Sequence, residues 1–494
     1  MKKNSLTMAV VAGMAGVAGF ASLASAVELN PDGLGQVLIY PYYTVNKNQQ
    51  TLLSVVNTDS ENAKVVKVRF LEGYNSREVL DFNLFLSPND VWTGTVNRLG
   101  NDDDAGAGVK TADHSCTFPP FPAADSANPY QPFRTYAFDG TLYKPNGIDG
   151  GPTDVSRTRE GYLEMIQMAD VARGTDLFDT ILHVNGVPDC DPGLIGNSIT
   201  GSTELSPPTG GLFGSGSIIN VGQGTFFGYN ADAIDGFYNT VHITKSGDLE
   251  PSLSSADVPA IAYVFNNGAL LSLDYTGQEV DAVSALYQAD TLYNEYITNS
   301  NLGATTDWVV TFPTKRFYVD KVYTPTAIQP FYQSFDKVSN VEVQLTPYDQ
   351  EEGTTIQQDC DPSNPTPGSD CDWSPSPPPE VEPSSLPYEV NVISFLDPDA
   401  DGAGETSGVL GSRLVFNVPP FASAGWIRLD LASGNGGTHL LRPAANGTQL
   451  RGLPATGFEV YNVINAHLNG DVMANYSGLF RHRASKSCAA GACS

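Results

Sequence analysis

Apolar and polar residues alternate at period two through much of this chain, and that alternation predicts strands. In residues 64–70, Val66, Val68 and Phe70 fall on one side and Lys67 and Arg69 on the other. Leu80, Phe82, Leu84 and Leu86 alternate with Asp81, Asn83 and Phe85. Tyr162, Glu164, Ile166 and Met168 alternate with Leu163, Met165 and Gln167. Further β-branched and aromatic runs at 36–45, 51–57, 91–96 and 217–229 bring the first half to about seven strands, as in an immunoglobulin-like sandwich. Pro41 marks an edge or a bulge in the first run. A second series begins at Asp307 and continues at 340–348, 389–395, 413–418, 426–431, 458–464 and 472–476. Between the two series, 261–265 and 270–275 read as strands around an Asn-Asn-Gly turn. Val283, Leu286, Tyr287, Asp290 and Tyr293 stand near helical spacing and predict a helix within 280–298.

One stretch recurs. Phe82 to Trp92 and Phe416 to Trp426 both open with Phe-Asn, break at a proline-containing turn and reach tryptophan ten positions on. We read them as the matching hairpins of two related sandwich halves. The expected fold is therefore all-β, with two immunoglobulin-like β-sandwich domains, long loop insertions and minor helix. Residues 27–235 form the first sandwich, with insertions at 97–158 and 170–213. Residues 236–306 form a mixed connecting segment, and 307–483 the second sandwich. Its loop 360–387 holds Pro375, Pro377, Pro378, Pro379, Pro383 and Pro387, which force extended backbone. Residues 484–494 are expected to be a flexible tail.

The ends and the charge narrow the setting. Residues 1–26 have a basic start at Lys2 and Lys3, an apolar run and the small-residue site Ala24-Ser25-Ala26, which predicts a cleaved signal peptide. No other stretch approaches the ~20 apolar residues of a spanning helix. The chain is expected to be exported, to the cell surface or the extracellular space, with the periplasm as a third location. With 26 Lys and Arg against 55 Asp and Glu it carries a net charge of −29, which disfavours nucleic acid and anionic lipid as partners. Its six cysteines favour disulfides in an exported protein. The locally simplest pairing is Cys360–Cys371, Cys488–Cys493 and Cys116–Cys190. No Cys-x-x-Cys pair supports zinc.

Candidate chemistry is sparse. Asp397, Asp399 and Asp401 before Gly402 place oxygen ligands at alternate positions, as a calcium loop begins, and Glu405 adds a fourth. The twelfth position is Gly408 rather than Glu, so the loop is partial, and calcium is the one cofactor expected. Asp102 to Asp104 is a weaker acidic group. His114, His183, His242, His439, His467 and His482 are scattered, with no His-Glu-x-x-His pair. No Gly-x-Ser-x-Gly elbow occurs, and Gly214 to Ser217 reads as the end of a surface loop. Lys315 and Arg316 suggest either a pocket for an acidic ligand or pairs with Glu295 or Asp307. Tyr40, Tyr42 and Tyr43 would serve as a sugar platform or as core. No catalytic residue is assigned.

Several phrases resemble an exported, β-rich proteobacterial protein family with no known activity. They are residues 160–171 (EGYLEMIQMADV), 216–233 (GSIINVGQGTFFGYNADA), 293–296 (YNEY), 306–319 (TDWVVTFPTKRFYV), 386–395 (LPYEVNVISF) and 456–462 (TGFEVYN). The resemblance spans most of the chain and implies an exported β protein; it brings no catalytic residues. The expected role is non-enzymatic, structural or adhesive, at the cell surface or in the extracellular matrix. Expected partners are the chain itself, other surface proteins or polysaccharide. The alternative is a polysaccharide-binding module or hydrolase with a cleft built from the long loops.

Overall fold

The computed structural model describes residues 26–101, 105–141, 149–299, 302–334, 338–351, 384–395, 406–418, 422–434, 437–465, 472, 474–489 and 493. The chain is mostly β, with several sheets and few helices. The twelve-residue strand Glu160–Val171 is buried along its whole length. It lies antiparallel between Val37–Thr44 and Ala63–Glu72 in a ten-stranded sheet. Leu163 and Met165 join Leu38, Tyr40, Val66, Val68 and Phe82 in a core shared with a six-stranded sheet. That second sheet is built on Gln50–Asn57, Val91–Arg98, Leu212–Asn220 and Thr225–Asn230.

The second half gives two five-stranded sheets. One centres on Ala424–Asp430, between Val341–Asp349 and Thr291–Ile297. The other centres on Ala304–Thr311, between Val390–Ser394 and Thr456–Val463. Trp308, Val310 and Ile393 pack toward Leu292, Leu345 and Leu429 of the first of these sheets. Val309, Val392, Phe458 and Val460, on the opposite face, join the core of the first half. Tyr229 stacks on Phe458 with ring centroids 5.2 Å apart. The two series of strands thus share apolar contacts rather than meeting only through a connector.

Several expectations change here. Ile261–Asn266 and Ala269–Asp274, read as part of a connecting segment, extend the ten-stranded sheet by parallel pairing with Val27–Leu29. The helix is Glu279–Tyr287 only; Thr291–Ile297 is a strand, as its Thr, Tyr and Ile content favours. The two Phe-to-Trp stretches are not hairpins. Glu78–Leu86 belongs to the ten-stranded sheet and Val91–Arg98 to the six-stranded one. Val415–Asn417 and Ala424–Asp430 likewise lie in different sheets. In both stretches the flanking strands thus belong to different sheets, and the expected hairpin pairing is replaced by pairing with other strands.

The described part of the tail, expected to be flexible, is held in place. Arg483–Ser485 pairs with Thr291–Tyr293, and the buried Cys488 is bonded to Cys493. Cys116 is bonded to Cys190, tying a short edge strand to the segment that follows the helix Asp176–Ile181. Both bridges fit an oxidising compartment. No helix among the described residues is long and apolar enough to cross a membrane. Residues 1–25, Cys360, Cys371 and most of the proline-rich loop lie outside the described residues.

Candidate functional site

The alternation in 64–70 suggests a wet face carrying Lys67 and Arg69. The structure buries that face. Register places Glu164, Arg69 and Asp81 in one row across three neighbouring strands, with Ile166, Lys67 and Asn83 in the next. The segment around 244–251 and the short helix Arg316–Val319 cover them. Lys67 Nζ lies 2.5 Å from Asp81 and donates to the Lys245 carbonyl at 2.8 Å. Arg69 bonds Glu78 at 2.8 Å and the carbonyls of Pro251 and Asp248 at 2.9 and 3.1 Å. Arg316 meets Glu164 at 2.5 Å, and Arg77 meets Asp320 at 2.8 Å.

The network continues at the sheet's end. Arg157 bonds Glu72 through Nε at 2.8 Å and through Nη2 at 3.0 Å, and Asp149 through Nη1 at 2.9 Å. Its guanidinium lies 4.4 Å from the Phe138 ring centroid and 4.9 Å from that of Tyr74. Glu72 also accepts from the backbone N–H groups of Tyr74, Asn75 and Arg77. Such charges persist under burial because each is paired and hydrogen-bonded. Burial lowers the Lys67 pKa despite Asp81 beside it. Burial also draws Lys315 down to about 8 and pushes Glu389, near it, up to about 7.

Arg69, Arg77, Arg316, Glu78, Ser76 and Tyr323 line a cavity of about 30 Å³. That is room for a water or two, not for an organic substrate. The groups that would do acid–base chemistry are already bonded to one another and to backbone carbonyls. The arrangement fastens the covering segments to the sheet.

The sequence-singled residues fall in different places. Lys315 donates to the carbonyls of Pro387 and Tyr388, at 3.1 and 2.9 Å, and Arg316 pairs with Glu164. Neither pairs with Glu295 or Asp307. Asp307 instead accepts from Ser394 Oγ and the N–H groups of Val409 and Leu410. Tyr40, Tyr42 and Tyr43 are fully buried, so they form core and no sugar platform. Gly214 to Ser217 lie inside a strand, not at the end of a loop. A Cβ on Gly214 would stand 1.9 Å from the Tyr40 hydroxyl, and one on Gly216 would stand 2.2 Å from the Tyr229 ring.

His242 Nε2 is 2.7 Å from Asp257 and 3.0 Å from Thr240 Oγ1. His183 Nδ1 is 3.0 Å from Ser87 Oγ and 3.7 Å from Asp90. In each case hydroxyl and carboxylate crowd the same ring nitrogen, whereas a triad needs them on opposite nitrogens. No cluster of three or more metal-ligating side chains occurs among the described residues. Asp397, Asp399, Asp401 and Glu405, and Asp102 to Asp104, lie outside them.

A second feature is visible only in the register of the six-stranded sheet. The outer face of the six-stranded sheet is open to solvent and bears no charge across its four long strands. Its rows are Phe213, Val56 and Val91; Asn230, Ser215, Ser54 and Thr93; Gly228, Ser217, Leu52 and Thr95; and Phe226, Ile219, Gln50 and Asn97. Ser54 and Ser215 bond across the strands at 3.0 Å. Period-two alternation marks each outward position; only register shows that they make one neutral surface. No family model, no curated protein and no solved structure matches the chain.

Proposed function

We propose that this is an exported, non-enzymatic structural or adhesive protein of the cell surface or extracellular matrix. The observation that carries this is the outer face of the four long strands of the six-stranded sheet, which bears no charge in a chain of net charge −29; Lys110, on the next strand, stands beside Thr95 at its border. A strongly acidic surface holds acidic partners away. A flat face of Ser, Thr, Asn and a few apolar side chains is where contact costs least desolvation of charge. Four strands about 4.8 Å apart and some eight residues long present on the order of 500 Å². Contacts of that size are weak singly and hold when repeated along a surface.

The immunoglobulin-like reading of two sandwiches belongs to the same proposal. Its support is the packing of the ten- on the six-stranded sheet and of the two five-stranded sheets on each other. Calcium at Asp397, Asp399, Asp401 and Glu405 is proposed on the sequence alone; a rise in melting temperature with calcium, lost in Asp399→Asn, tests it.

The test of function is retention. Leu52 and Ser217 stand opposite each other on the neutral face. Protease shaving of intact cells should find the wild-type protein at the surface, and the Leu52→Glu, Ser217→Glu double variant should be shed into the medium. Equal retention of both would remove the proposal. Turnover of a polysaccharide by purified protein would replace it with the hydrolase reading.

A further inference from the structure

Every open sheet ends in strands whose outer backbone groups lack a ladder partner. Most edges here are short or covered. Cys116–Phe118 is three residues, tied by its disulfide. Gln131–Pro132 is two residues, and Ser384–Leu386, Val415–Asn417 and Arg483–Ser485 are three each. Thr225–Asn230 is met by Tyr476–Arg481: Ser477 Oγ accepts from the Phe226 N–H at 3.1 Å and donates to its carbonyl at 2.9 Å. Ala269–Asp274 differs. It is six residues long, ends the ten-stranded sheet, and holds no proline and no lysine.

The pairing parity fixes which groups face outward. Tyr275 N–H donates to the Ala260 carbonyl at 2.9 Å, so Leu273 and Leu271 occupy the hydrogen-bonded positions opposite Ala262 and Val264. The N–H and C=O groups of Leu270 and Ser272 therefore point away from the sheet, and no described residue bonds them. At Asp274 the edge closes, because its carbonyl accepts from Ala445 N–H at 2.9 Å. Beside the open groups, Phe265 and Leu270 sit directly opposite each other, 69% and 61% exposed.

We propose that this edge pairs antiparallel with the same edge of a second copy of the chain, about a two-fold axis at Leu271. Leu270 of each copy then faces Ser272 of the other, and the four outward backbone groups of each strand find partners. The two exposed Leu270 side chains meet diagonally across the seam, each backed by Phe265 of its own chain. Asp274 falls opposite Gly268 of the second copy, so no like charges meet in the ladder. Backbone groups in this geometry specify a strand as occupant. The edge matches its own copy in register and apolar surface, and the register keeps its one charged residue, Asp274, away from its counterpart. Two chains of net charge −29 still repel at longer range, so added salt, by screening, should strengthen the pair. An interface held by ion pairs would weaken instead.

Sedimentation velocity of the purified mature chain, across protein concentration and at low and high salt, tests this. The wild type should pass from monomer to dimer with concentration, at lower concentration in high salt. Ser272→Pro removes an outward N–H where proline is tolerated, and Leu270→Lys puts a charge on the open edge. Each should weaken self-association about tenfold or more while leaving near-ultraviolet dichroism unchanged. Should Ser272→Pro fail to fold, Leu270→Lys at its exposed site carries the test. A wild type that stays monomeric throughout, or variants that dimerise as it does, would overturn the proposal. Retention on cells through the neutral face is read separately, so either result can fail alone.

Discussion

Trp92 packs against Phe82 with ring centroids 5.7 Å apart, although the strands that carry them belong to different sheets. The corner at Ser87 to Asp90 turns the chain from one sheet to the other and brings the two rings together in the core. Phe121 closes the group, 4.9 Å from Phe82. Gly94 is required beside it, because a Cβ there would stand 2.5 Å from the indole. The second corner lacks this contact: Trp426 is 38% exposed and stacks on Tyr348 at 4.1 Å. Trp92→Ala should therefore cost about 3–5 kcal/mol and Trp426→Ala about 1 kcal/mol or less. Urea unfolding of the two variants checks the ratio; equal losses would refute it.

That pair also shows what the sequence can and cannot carry. Spacing reveals a recurring strand, turn and strand, but whether the second strand folds back or crosses depends on neighbours far along the chain. Val91–Arg98 pairs with Gln50–Asn57, not with Glu78–Leu86. Strand content was legible, since alternation at Glu160–Val171 and Val390–Ser394 follows directly from side-chain period. The buried charges were not. Lys67 and Arg69 look like solvent residues until segments nearly two hundred positions away cover them. The Cys116–Cys190 bridge was legible as part of the locally simplest pairing, whereas the neutral face is visible only in register.

Arg157 holds two buried carboxylates that would otherwise repel. Removing it takes the close guanidinium from both, leaving Glu72 with backbone N–H donors alone and Asp149 with Asn75, the Gly151 N–H and a longer contact of 3.5 Å to Arg77. Arg157→Ala should destabilise by about 3–5 kcal/mol. Arg157→Lys should recover less than half of that, since an ammonium cannot bond both carboxylates in fork geometry. Thermal unfolding at pH 7 measures both; a fully restored lysine variant would show that charge alone suffices.

Glu459 is buried, and its Oε2 has no hydrogen-bond partner among the described residues. Burial, with Glu295 nearby, pushes its pKa up to about 8 from an ordinary 4.5. The folded state then holds a proton that the unfolded state has released, so this residue makes stability fall as pH rises from 4.5 to 8. Glu459→Gln should add about 2–4 kcal/mol at pH 7 and flatten that slope. Melting temperatures at pH 5, 7 and 8.5 compare the two proteins; a glutamine variant no more stable at pH 8.5 than at pH 5, relative to wild type, would refute the assignment.

His482 acts with the opposite sign. Its Nε2–H donates to the Val309 carbonyl at 2.9 Å, and its Nδ1 lies 3.2 Å from the Asn294 amide nitrogen, which donates to it. The ring is therefore held neutral. Burial lowers its pKa to about 4 from 6.5, and the Arg481 charge works in the same direction. Between pH 6.5 and 4 the unfolded chain takes up a proton that the folded chain refuses, so stability falls as pH drops through that window. The residue as a whole is half-buried, and solvent screening limits the loss to about 1–2 kcal/mol. His482→Gln keeps a donor for Val309 and cannot titrate, so the difference in melting temperature between pH 7 and pH 4.5 should shrink. Because Glu459 drives stability the other way over 4.5 to 6.5, the comparison is cleanest in the Glu459→Gln background. There the wild-type histidine should produce a monotonic acid loss that His482→Gln removes. An unchanged acid loss would mean that the histidine already carries its proton in the folded chain.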